Sequence, residues 1–318
     1  MALVALLAAI ASFGCGNAEP QISGLPYWPE AFVGQAHAEQ MFRDQTHLGQ
    51  RDDDELLFAG ADHRSATTNQ VGYERVGLAG EGPVVWFIGG STTFGMGQRD
   101  DHTVPSEVVR LSSAAGRPIV ARNFGYPTYV AWQEAILLDR LLASEEPPDL
   151  IVVYHGSNDY AALCRELELG DPPGGHDNFL LDPKPEHPKA GCTDDPAAIG
   201  RVLDGIVAEG MAEMRAAAGE VPVLEFWQPY AATRPASADH LALLARLGQT
   251  ADSAAAHRGP YLAAIGSASR PVIDLTDVFD EVDGPIYFDW VHTNERGAQI
   301  VADAMWDRGL RQAVAALG

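Results

Sequence analysis

Val84-Val85-Trp86-Phe87-Ile88-Gly89-Gly90-Ser91-Thr92-Thr93-Phe94-Gly95 is the stretch on which the fold turns. Its apolar run proceeds without alternation into two glycines and a serine. Such a run reads as a strand buried on both faces, as in a parallel sheet. The glycines permit a sharp turn in which backbone can approach a ligand closely. Ser91 then falls just past the carboxyl end of a central strand, at or near the start of a helix. Open α/β sheets bind ligands along that edge, and free N–H groups there stabilise negative charge.

Outward from this stretch the pattern repeats. Strand-like apolar runs recur at Pro118–Asn123, Leu150–Tyr154, Val221–Phe226 and Pro271–Leu275. Segments of helical period lie between them. Ala131, Ala135, Leu138 and Leu142 share one face; Ile206 to Ala218 and His240 to Ile265 behave similarly, and a last helix is expected from Asn294 to Ala316. Strands alternating with helices imply right-handed βαβ units. The expected fold is a three-layer α/β/α sandwich around a five-stranded, mainly parallel, flavodoxin-like sheet. Residues 20–82 read as an irregular lead-in packing on a domain of 83–318, with a short helix near Ala36 to Arg43. A Pro/Gly-rich insertion at 165–198 is long for a βα connection and reads as either a lid or a surface excursion.

The chain has 318 residues and a formal charge of −23. That balance argues against binding nucleic acid or an anionic membrane surface by electrostatics. Residues 1–19 stand apart: Met1 to Phe13 is almost wholly apolar and is followed by Gly14-Cys15. The run is too short for a spanning helix and fits the core of an export signal. It is expected to be either a lipoprotein-type signal with lipidation at Cys15 or an ordinary cleaved one, giving a periplasmic or cell-surface protein. Any membrane attachment would then run through Cys15. Cys164 and Cys192 are the remaining cysteines, and a disulfide between them is expected in an oxidising compartment. No CxxC or HxxxH spacing accompanies them, so no zinc site is expected.

Three more polar blocks fall where the sheet gathers its loops: Asn123-Phe124-Gly125-Tyr126-Pro127, His155-Gly156-Ser157-Asn158-Asp159 and Asp289-Trp290-Val291-His292. A serine hydroxyl needs a base, and His292 can act as one if a carboxylate fixes its tautomer. Asp289, three residues earlier, can reach the far ring nitrogen. An oxyanion needs aimed donors, and the N–H groups of Ser91 and Gly125 with the Asn158 amide supply three. His155 reads as a packed, hydrogen-bonded neighbour of this loop; His102, His176, His187 and His257 read as solvated. Tyr129, Trp227, Tyr230 and Trp290 are candidates to line a substrate pocket, with core packing as the competing role.

Gly89-Gly90-Ser91, Gly125, Gly156-Ser157-Asn158-Asp159 and Asp289-x-x-His292, in this order, resemble the four blocks of the SGNH/GDSL hydrolase superfamily from about Pro83 onward. The resemblance implies the fold just described and a carboxylic ester hydrolase. Catalytic Ser91, Asp289 and His292 would work with an oxyanion hole of Ser91, Gly125 and Asn158. It implies no metal or organic cofactor. Gly90 departs from the signature by standing where the family has Asp. The small acyl ester or acylated carbohydrate expected as substrate rests on the same resemblance. An O-acyltransferase using the same triad and a catalytically silent glycan-binding module are the alternatives.

Overall fold

The structure, a computed structural model, describes residues 29–46, 48, 50–169, 192–235 and 237–317. The export signal and Cys15 lie outside the described residues, as do His176, His187 and most of the 165–198 insertion. Among the described residues no helix is long and apolar enough to cross a membrane.

The lead-in is more regular than its composition implies. A 3-10 turn (Pro29–Phe32) and α1 (Ala38–Gln45) come first. An antiparallel pair follows, β1 (Gln50–Asp53) and β2 (Leu57–Gly60). Three short strands, β3 (His63–Arg64), β4 (Asn69–Val71) and β5 (Glu74–Arg75), then join the main sheet. This corrects the expectation of an irregular lead-in. Strands of two to four residues are too short to display an alternating pattern, and their register comes from the sheet they extend. The β1–β2 pair is anchored to the domain by Arg140, which donates to both Asp53 oxygens at 2.8 and 2.9 Å.

The deciding stretch forms β6 (Val84–Gly89) and α2 (Ser91–Phe94). Then come α3 (Val104–Ala114), β7 (Val120–Gly125), α4 (Ala131–Ser144), β8 (Leu150–His155), α5 (Ser157–Leu169) and α6 (Pro196–Ala218). The chain ends with β9 (Val223–Trp227), α7 (Ala238–Arg246), α8 (Ala251–Ser267), β10 (Ile273–Asp274), α9 (Glu295–Met305) and α10 (Arg311–Ala316). The sheet order is β10-β9-β8-β6-β7-β5-β4-β3. The first five strands of that order are parallel and β5, β4 and β3 are antiparallel. The five expected strands are therefore the parallel core of an eight-stranded mixed sheet with helices on both sides.

Burial explains the unbroken apolar runs. Val85, Trp86, Phe87 and Ile88 of β6 are fully buried, as are Leu150 to Val153 of β8. Each such side chain contributes about 1.5–3 kcal/mol relative to exposure. Helix α6 packs between α4 and α8, and α3 packs on α9. The expected Asn294–Ala316 helix is interrupted over Trp306–Leu310, where Gly309 leaves the helical conformation, and two further helices differ from expectation because of their caps. Helix α6 starts earlier, at Pro196, because Asp195 accepts the Ala198 N–H at 3.0 Å and proline suits a first turn. The expected His240–Ile265 helix is two helices, because Gly248 turns left-handed (φ 70°) and Thr250 caps a new start through Ser253. Cys164 of α5 is disulfide-bonded to Cys192, with the Cα atoms 4.9 Å apart.

Candidate active site

The chain passes from β6 to the neighbouring β7, then crosses over to β8 on the other side of β6. A crevice forms at such a reversal, at the carboxyl ends of the strands. The loops after β6, β7, β8, β9 and β10 all open there, so one edge collects every motif singled out from the sequence.

Ser91 is the first residue of α2, whose early N–H groups have no intrahelical acceptor. Its hydroxyl lies 2.7 Å from His292 Nε2, and His292 Nδ1 lies 2.6 Å from Asp289 Oδ2. Asp289 is fixed by its other oxygen, which accepts the Val291 and His292 N–H groups at 2.9 and 2.7 Å. The imidazole stacks on Phe288 with ring centres 5.7 Å apart. All three members are nearly closed off from solvent, Ser91 at 2 % exposure, His292 at 3 % and Asp289 at 7 %. The arrangement can carry a proton from the serine hydroxyl to Nε2 while the carboxylate holds Nδ1–H.

Asn158 heads α5 from its second position, and its Nδ2 donates to Tyr129 O at 2.8 Å. An amide carries two donors, and the second is available for an oxyanion. Gly90 explains itself at this contact: a Cβ there would collide with the Asn158 amide nitrogen.

Gly125 is held on two sides. Its N–H donates to Asn123 Oδ1 at 3.0 Å and so is already engaged. A Cβ there would collide with the backbone of Thr93 and Phe94, so glycine lets α2 sit close on β7. The adjoining loop holds Thr128 in the left-handed region (φ 70°), a costly conformation for a β-branched residue. That strain falls one residue before the carbonyl that orients Asn158.

The aromatic candidates are core residues. Tyr129 is fully buried and its hydroxyl donates to Phe58 O at 2.8 Å. Trp227 is 1 % exposed and lies under Gly156, where even a Cβ would press on its ring. Trp290 is buried and stacks on the buried Tyr230 at 5.7 Å. All three pack against the loops that carry Ser91, Asn158 and His292. His257 is half-buried with Nδ1 2.9 Å from Tyr160 Oη, and burial lowers its pKa. His102 likewise pairs with Glu107 at 3.0 Å. Neither is a solvated surface histidine.

Sequence reading missed two supports. Arg75, from the lead-in, is buried and donates to the Phe94, Gly95 and Gln98 carbonyls at 2.6, 2.7 and 2.7 Å, holding the carboxyl end of α2. Below the Asn158 loop lies a buried charge cluster. His155 Nδ1 is 2.8 Å from Glu134 and its Nε2 3.6 Å from Glu225, which also receives Arg270 and Arg215. Burial alone would depress His155, but the two carboxylates raise it to about 10. Asp159 accepts the Ala131 N–H at 2.9 Å, and burial together with Glu134 pushes its pKa up to about 7. Both residues flank Gly156-Ser157-Asn158, but nothing in single-residue chemistry announces a cluster whose members are spread over so many elements.

The model of the GDSL-like lipase/acylhydrolase family matches residues 87–300. No curated protein matches the chain significantly. Among solved structures it is similar to a carbohydrate acetylesterase family member from Sinorhizobium meliloti, at 15 % identity, 74 % of this chain, 100 % of that one and a TM-score of 0.42. The family 3 carbohydrate esterase of Clostridium thermocellum gives 15 %, 74 %, 99 % and 0.42. The lipase/acylhydrolase of Enterococcus faecalis gives 18 %, 74 %, 96 % and 0.37. The family match spans the serine turn, the Asn158 loop and the Asp289–His292 pair, and the chain belongs to the GDSL-like lipase/acylhydrolase family.

Proposed function

We propose that the chain is a serine carboxylic ester hydrolase working through an acyl-enzyme on Ser91. The observation that carries the proposal is the continuous hydrogen-bonded line from Ser91 Oγ through the His292 ring to Asp289, at 2.7 and 2.6 Å. Ser91 Oγ attacks the ester carbonyl as its proton passes to His292 Nε2. The resulting oxyanion faces the Ser91 N–H and the free Asn158 N–H. Collapse expels the alcohol, which takes the proton from His292. Water, deprotonated by His292, then attacks the acyl-enzyme and restores Ser91. Each oxyanion donor is worth about 10²–10³ in rate. The small exposure of Ser91 favours short acyl groups, so acetyl esters, including acetylated sugars, head the screen. On the reading of residues 1–19 as an export signal, this activity belongs outside the cytoplasm.

The test is fluorophosphonate labelling of the folded protein beside Ser91→Ala, with mass spectrometry of the adduct and hydrolysis of acyl esters of graded length. One adduct on Ser91, absent from the variant, is expected. Absence of labelling in folded protein removes the hydrolase reading and leaves glycan binding. Labelling with acyl transfer to an added sugar in preference to water reassigns the chain as an acyltransferase.

A further inference from the structure

Gln228 is the residue immediately after β9, 2 % exposed, and sequence motifs give it no role. Its backbone N–H donates to His155 O at 3.0 Å and its carbonyl accepts from Tyr261 Oη at 2.9 Å, so its Cα is fixed on both sides. The side chain then reaches across the end of β8. Oε1 accepts the Thr92 hydroxyl at 3.1 Å, and Nε2 donates to the Ser157 hydroxyl at 2.5 Å. Thr92 and Ser157 are 8 % and 3 % exposed. One follows the nucleophile Ser91, and the other precedes the amide donor Asn158. Among the described residues no other side chain bridges these two helix starts.

We infer that Gln228 is a positioning residue that sets the separation of the Ser91 nucleophile from the Asn158 oxyanion donor. The inference rests on the acyl-transfer reading above. The two groups sit on different helices, α2 and α5, and must meet one reacting carbonyl from two directions. Asn158 is oriented by Tyr129 O and Ser91 by His292, but those contacts fix each group against its own surroundings. The Thr92–Gln228–Ser157 line fixes them against each other. Both bonds are buried, so water does not readily replace them. A misplacement near 1 Å costs about 10²-fold in rate.

The experiment measures the fluorophosphonate labelling rate and kcat/KM of Gln228→Met, which keeps the side-chain length and apolar packing but loses both bonds. A fall of about 10–10²-fold is expected, carried by kcat with KM little changed. The readout that separates positioning from general destabilisation is a double-mutant cycle with Asn158→Ala. If Gln228 acts through the donor, the same substitution in the Asn158→Ala background costs less than about threefold. Equal losses in both backgrounds, or labelling unchanged in Gln228→Met, overturn the inference. Should Gln228→Met fail to fold, Thr92→Val and Ser157→Ala cut the two arms separately. Their losses are expected to be non-additive, and full additivity overturns the bridge. A wild-type chain that never labels overturns the acyl-transfer reading itself, an outcome distinct from a labelled wild type with an equally labelled Gln228 variant.

Discussion

Replacing Asp289 by Asn tests the site with a single atom. Asp289 uses both oxygens: Oδ1 takes two backbone N–H groups, at 2.9 and 2.7 Å, and Oδ2 faces His292 Nδ1 at 2.6 Å. An asparagine has one oxygen to divide between these sites. Turning the oxygen toward Nδ1 would set an NH₂ against two backbone donors and lose two hydrogen bonds, each worth about 1 kcal/mol. Keeping it on the backbone preserves both, so the NH₂ faces Nδ1. The ring must then accept at Nδ1, which places its proton on Nε2, pointing at Ser91 Oγ. A protonated Nε2 cannot take the serine proton. The expected loss in kcat is about 10⁴-fold, the size found for the same tautomer swap in another serine hydrolase, or about 5.5 kcal/mol of barrier. Stability should fall by no more than about 1 kcal/mol. Asp289→Ala serves as the contrast: it loses all three bonds and more stability but does not force the tautomer, so Asn should be no more active than Ala. Labelling rate, ester hydrolysis from pH 7 to 9 and thermal melting decide the matter. A folded Asn variant within tenfold of wild type would refute the role assigned to Asp289.

Gly90→Ala drives a Cβ into the Asn158 amide and should lower kcat by about 10²–10³-fold, the loss of one oxyanion donor; near-normal turnover would show that the amide has room to move. Glu225→Gln leaves Arg270 and His155 short of a buried counter-charge and should cost about 3–5 kcal/mol, or a melting point lower by roughly 6 °C for a chain of this size; an unchanged melt would mean that Asp204 and Glu134 suffice. The raised pKa of Asp159, about 7, favours its protonated form in the folded state. That stabilisation is complete below the unfolded value and is lost as pH rises through about 7. Asp159→Asn imitates the protonated form, so its stability relative to wild type should rise between pH 5 and 8.5, by up to about 3 kcal/mol. Parallel stability profiles would remove Asp159 as a titrating group.

What was legible in the sequence is what local pattern encodes. The five parallel strands announced themselves because strands buried on both faces need continuous apolar residues. Ser91, Asn158, Asp289 and His292 were legible because each sits beside glycine or a fixed spacing at a strand end. Gly125 was read as a donor because glycine allows close approach, and the close neighbour the structure shows is α2. Tyr129, Trp227 and Trp290 were read as pocket candidates because their position along the chain is near the site, but position does not reveal which way a side chain points. Gln228, Arg75 and the Glu134–His155–Glu225 cluster were invisible because each draws meaning from partners tens of residues away. The antiparallel strands β3 to β5 were hidden by brevity.

The aromatic set at the base of the histidine loop bears on how this domain can be divided. Phe32 and Phe42 come from the lead-in, and each ring lies 5.2 to 5.3 Å from that of Phe288, which carries the stacked imidazole of His292. Asn294 Nδ2 donates to Ala31 O at 2.6 Å beside them. The stretch matched by the family model starts at residue 87, yet two of the rings packed around Phe288 beneath His292 come from upstream of that point. The span matched by the family model and the span packed around the histidine loop are therefore two different lengths. Grafting the shared length alone into another protein would carry Phe288 and the imidazole stacked on it without the two lead-in rings that back Phe288.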